Sequence, residues 1–160
     1  MPVVLTPLDD ALTERLLAVA VADATPEEVM PPVAGPPGWT PARQEFFRAF
    51  HRERHPGLAG PLHTAMFAIH ADERLVGMIR LTVEKAQAET GMWLARSARG
   101  QGLATLALQA LLGAARRAGA RTVKADTTPG NRAAQATLSR CGAALDHQGD
   151  KVYARLELDA

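Results

Sequence analysis

The 160-residue chain has one cysteine, Cys141, which excludes a disulfide framework and any zinc site built on paired cysteines. It also lacks charge of one sign. Its 18 basic and 17 acidic residues leave a net charge of +1, no footprint for a nucleic acid or other polyanion. No apolar run is suited to spanning a membrane: the longest uncharged helix-like stretch, Gly100 to Arg116, contains Gln and Thr and reads as a buried helix. The opening MPVVLTPLDD has no basic segment and meets proline and acid early, unlike a secretion signal, so a cytoplasmic protein is expected. Aromatics are scarce, with four Phe, two Trp and one Tyr. What is there is 47% apolar and 22% charged, enough for one packed domain that buries about 70% of its unfolded surface.

Periodicity divides the chain into alternating elements. Val3–Leu8 reads as a strand, followed by a helix capped by Asp9 or Asp10 and running to about Ala22. Thr25 to Pro41 holds six prolines, two glycines and Trp39, and reads as a loop with one helical turn at PEEVM. Thr40-Pro41 starts a helix through Phe46, Phe47 and Phe50 that stops before Pro56. Strands follow at Thr64–His70, Arg74–Lys85 and Glu89–Ala95, the first two joined by a turn at Asp72-Glu73. Gly102 to Ala118 is the strongest helix, with Leu103, Leu106, Ala107, Ala110, Leu111 and Ala114 at helical spacing. Thr122–Thr128 is a strand, Arg132–Arg140 a helix, and Ala144–His147 with Val152–Leu158 a terminal hairpin. The sum is a single mixed α/β domain over residues 1–160, with a parallel strand–helix–strand crossover from Glu89 to Asp126.

The junction from Trp93 to Thr105 carries the chemistry. A short loop with Arg99, Gly100, Gln101 and Gly102 feeds a strand into the strongest helix. The first amides of a helix lack intrahelical partners and carry the positive end of its dipole. Glycines there let a ligand approach the backbone, so the junction suits a phosphate. A Rossmann fingerprint would need glycine at Thr105, and a P-loop would need a lysine after Gly102; both fail.

Arg99-x-x-Gly102-x-Ala104 resembles the acetyl-CoA signature of the GNAT superfamily of N-acetyltransferases, Gln/Arg-x-x-Gly-x-Gly/Ala. A second match, Asn131-x-x-Ala134 with Gly142, lies one strand downstream; Leu138 stands where relatives commonly have Tyr, and Ala143 where they have Phe. The resemblance implies a GNAT-type fold: a mostly antiparallel central sheet with one parallel crossover, flanked by about four helices. It implies that the amides of Gly100, Gln101, Gly102, Leu103, Ala104 and Thr105 hold the CoA diphosphate beside Arg99. Met92, Trp93 and Leu94 would pair with the pantetheine arm as with an added strand. Asn131 and Ala134 would line the far side.

The activity implied is direct acetyl transfer from acetyl-CoA, a cosubstrate, to an amine, with no metal. An amine acceptor must be neutral to attack, so a base or relaying water helps. Glu89 is the first choice for the base, Glu84 the second and Asp126 the third; a solvated strand-end carboxylate is the plain alternative for each. The Leu94 N–H is the expected donor to the developing oxyanion. With Leu138 at the Tyr position, Cys141 and Tyr153 are the remaining acids, though each also reads as a packed residue. His51 and His55 have metal-capable i, i+4 spacing but no third ligand, and read as a wet basic helix face. Phe46, Phe47 and Phe50 read as core. Trp39 reads as an acceptor-pocket wall or as a stapled surface connection. Many relatives are dimers, and the resemblance leaves a homodimer open. An acyl-CoA-binding sensor without turnover is the second functional reading, and a phosphate-binding domain unrelated to CoA the third.

Overall fold

The computed structural model describes residues 2–159. In chain order its elements are β1 (Val3–Pro7), α1 (Asp10–Asp23), the single-turn α2 (Pro26–Val29), α3 (Pro41–Arg52), β2 (Thr64–Ala71), β3 (Arg74–Glu84), β4 (Gln87–Leu94), α4 (Leu103–Arg117), β5 (Thr122–Thr127), α5 (Arg132–Arg140), β6 (Ala144–Gln148) and β7 (Lys151–Glu157). This is the mixed α/β order read from the sequence, with β4 beginning at Gln87 rather than Glu89. Seven strands form one sheet in the order β1-β2-β3-β4-β5-β7-β6, and only the β4–β5 pair is parallel.

Two burial rhythms show how the helices cover this sheet. β7 alternates strictly between exposed and buried residues, so one of its faces meets water. β2 is buried at nearly every position, so both of its faces are covered. On one side, Leu103, Leu108 and Leu111 of α4 pack with Ile69, Ile79, Leu81 and Val123 of the strands. Each such leucine contributes roughly 2 kcal/mol by leaving water. On the other side, Leu16, Leu17 and Ala20 of α1 and Phe47 of α3 pack on Ala68, Met78 and Trp93. The register between β2 and β3 slips at Ile69/His70, opposite Gly77, and Gly77 in turn faces Leu94 of β4.

The proline-rich loop between α2 and α3 is a stapled connection. Trp39 Nε1 donates to Ala24 O at 3.0 Å, and the Trp39 ring meets Phe47 edge-on. Buried Arg43 donates to four loop carbonyls: Val33 (2.8 Å), Gly38 (2.9 Å), Gly35 (3.3 Å) and Pro36. One guanidinium thus replaces the sheet or helix ladder that this segment cannot form.

The wet basic face expected at His51 is not what forms. His51 is fully buried, with its ring against Phe47 and Phe50. Nδ1–H donates to Phe47 O at 2.7 Å, and Nε2 has no partner among the described residues. Burial pushes its pKa down to about 4, against the pull of the Phe47 carbonyl and with help from the charges of Arg54 and His55. The unfolded chain takes up this proton below about pH 6.5 whereas the folded one resists until about pH 4. His51 therefore adds stability that is complete above pH 6.5 and drains away as pH falls toward 4, about 3 kcal/mol in all. Urea unfolding measured from pH 7.5 to 4 should show this slope in the wild type, and His51→Leu should flatten it.

Candidate active site

β4 and β5 pair over three positions only, Gln87 with Thr122, Ala88 with Val123 and Glu89 with Lys124. Beyond Glu89 the two strands separate. The five residues Thr90–Leu94 therefore run for about 16 Å with β3 on one side and no strand on the other. Ala95 N–H points toward β3, where it bonds Val76 O at 2.8 Å. Amides alternate direction along a strand, which turns those of Met92 and Leu94 toward the gap. Leu94 O shares that direction, and its partner there is the Arg99 side chain, whose Nε donates at 3.1 Å.

The gap leads to the start of α4. Gly100 and Gly102 have φ of 74° and 77°, the left-handed region that an L side chain enters only with strain. Gly102 is the N-cap and no side chain caps the helix, whereas α1, α3 and α5 are capped by Asp9, Thr40 and Asn131. The amides of Leu103, Ala104 and Thr105 are thus left without an intrahelical partner, at the positive end of a 15-residue helix. Gap and helix end form one cavity of about 720 Å³.

Every residue expected to bind the cofactor lies on the cavity wall except Gln101, which turns outward and donates to Ser97 O at 3.1 Å. Met92 and Trp93 send their side chains to opposite cores, so the shared feature of Met92, Trp93 and Leu94 is their backbone. The Trp93 indole N–H is buried and has no partner among the described residues. Asn131 acts locally: its Oδ1 accepts Ala134 N–H at 3.1 Å and caps α5. Leu138 lines the cavity and offers no proton. Cys141 is half-buried with Sγ 3.9 Å from Thr105 O, and burial pushes its thiol up.

The three carboxylates separate. Glu84 ends β3 opposite Gln87, three strand positions and about 10 Å from Leu81, the partner of Thr90. The structure does not bring it to the cavity, because the strands part at the other end of β4. Glu89 stands at the last paired position, on the face away from α4, with Arg80 Nη2 at 3.0 Å from its Oε1. Asp126 lines the cavity on β5 and pairs with Lys151 at 3.2 Å.

Sequence reasoning passes over Glu28, which reaches the cavity wall from α2. Its Oε1 accepts Thr25 N–H at 2.8 Å, its Oε2 accepts from Arg99, and Arg96 lies 3.6 Å away. Burial works against this carboxylate, but the Thr25 amide and Arg99 outweigh it and hold it below the usual range. Asp23 accepts from Ser97 N–H (2.9 Å) and Oγ–H, bonds that hold it low as well. The one signal in the sequence was Thr25-x-x-Glu28, a helix-start pattern that says nothing of a partner 71 residues away. Among the described residues no group of three or more His, Cys, Asp and Glu gathers to hold a metal, and no helix is long and apolar enough to cross a membrane.

A family model described as the acetyltransferase (GNAT) domain matches residues 3–144. The chain belongs to this family. Solved structures share the GNAT fold at low identity. The acetyltransferase from Salmonella typhimurium that modifies the N-terminal serine of ribosomal protein L7/L12 is 20% identical, with TM-score 0.78 and coverage of 99% of this chain and 96% of that one. The N-acetyltransferase PseH of Campylobacter jejuni, in complex with acetyl coenzyme A, is 15% identical, with TM-score 0.71 over 98% and 99% of the two chains. The putative acetyltransferase yncA of Salmonella typhimurium, with acetyl-CoA, gives 16%, 0.71, 99% and 95%. No curated protein matches the sequence significantly.

Proposed function

We propose that this GNAT acetyltransferase moves the acetyl group of acetyl-CoA directly onto a primary amine that enters from the α1–α3 side of the sheet. The observation that carries the reading is the detached end of β4 running into the uncapped start of α4. A thin amide-bearing arm can bond the Met92 and Leu94 backbone, and a diphosphate suits the amides of Gly102 to Thr105. Acetyl-CoA supplies a thioester whose carbonyl carbon the amine attacks and whose thiol leaves.

Leu94 N–H is the donor aimed at the charge that develops on the thioester oxygen. Glu89, fixed by Arg80 beside the last paired position, takes the amine proton through one water. Asp126, on the cavity wall and paired with Lys151, holds the approaching ammonium group before that step. A thiol with a pKa of about 8.5 leaves tolerably as thiolate, so the absence of an acid at Leu138 slows the step by about 10²-fold without abolishing it. Leu138 on the cavity wall also favours a second reading, a module that binds acyl-CoA without turnover.

Thermal shift with acetyl-CoA, ATP and NAD tests the site, and stabilisation by acetyl-CoA alone is expected. Thiol release over a panel of small amines and peptide N-termini separates enzyme from sensor, since a sensor gives none. Glu89→Gln should lower kcat/KM about 10²-fold. An unchanged kcat/KM would remove Glu89 from the proton path.

A further inference from the structure

The arginines beside the start of α4 already have an anionic partner, and that partner is part of the chain. Glu28 bonds Arg99 and faces Arg96, both in the turn between β4 and α4. Arg99 is also tied to Leu94 O, on the strand edge that faces the cavity. A diphosphate in the cradle would share the cavity wall with the Glu28 carboxylate and bid for the same guanidinium. Two anions sharing one wall repel each other, weakly where both are partly exposed to water.

Resting on the acetyl-CoA reading of the cradle, we propose that Glu28 is an internal stand-in for the cofactor diphosphate, and that cofactor binding takes Arg99 from it and releases α2. The release matters because α2 joins the two halves of the site. Asp23, just before it, is fastened to Ser97, and Ala24 O accepts the Trp39 indole that pins the proline-rich loop. Behind α2, Val29 and Met30 pack in the same core as Trp93. Freeing Glu28 therefore loosens the segment that covers the acceptor side of β4 once the cofactor is seated.

Glu28→Gln is the discriminating variant, because the amide oxygen still accepts Thr25 N–H and keeps the start of α2. Calorimetric titration with CoA should show the variant binding about fivefold more tightly than wild type, the scale of one partly exposed ion pair. The gain should vanish in an Arg99→Gln background, since the two side chains then have nothing to exchange. Hydrogen exchange in the wild type should speed up at the Glu28 and Met30 amides when CoA binds. Equal or weaker CoA affinity in Glu28→Gln, with the wild type binding normally, would overturn the exchange and leave the cofactor reading standing. No CoA binding by either protein would overturn the cofactor reading and the exchange together.

Discussion

Gly77→Ala is expected to cost the protein about 3 kcal/mol, or 6–12 °C in melting temperature, and most of its affinity for CoA. A methyl group on Gly77 would stand 2.1 Å from Trp93 O and 3.0 Å from the Leu94 Cα. Both are backbone atoms of a strand held by its neighbour, so no side-chain rotation relieves the clash. Either β3 or the end of β4 must move. Gly77 faces Leu94 where the β2–β3 register slips, so the displaced atoms are those that line the cavity. Thermal melts and CoA titration measure the two effects separately. Wild-type behaviour in both would show that β4 yields at no cost and that the clash does not hold.

Ala104→Asp is expected to divide stability from binding. Ala104 is the second residue of α4, half-buried on the cavity wall. An aspartate there faces the positive end of the helix and should add about 0.5 kcal/mol of stability, read as an unchanged or higher melting temperature. The same charge should repel a diphosphate by about 3 kcal/mol at 5 Å, which weakens CoA binding more than a hundredfold. A lower melting temperature with unchanged CoA affinity would place the diphosphate elsewhere.

The element order was legible because each segment carries its own period. The 3.6-residue spacing of Leu103, Ala107 and Leu111 and the alternation of Val152, Ala154 and Leu156 are local facts that burial then obeys. The turn before α4 was legible for the same reason: Arg99, Gly100 and Gly102 lie within four residues, and the positive φ of the two glycines is a local property. His51 was misjudged because flanking Arg52 and Arg54 suggested a wet face, while the packing of α3 against α1 buries that ring. Glu89 ranked ahead of Glu84 through the family resemblance, whereas spacing alone gives no reason to prefer either strand-borne carboxylate. Their difference is which end of β4 parts from β5.

The sequence by itself determined the sheet-and-helix order, the family motif and the helix start that suits a diphosphate, since these rest on spacing and on backbone geometry a few residues long. The tertiary structure alone decided the point, after Glu89, at which β4 leaves β5, the placing of Gly77 against Trp93 O, and the capture of Arg99 by Glu28. Each joins residues far apart in the chain, and no local period records a contact made only when the sheet and helices pack.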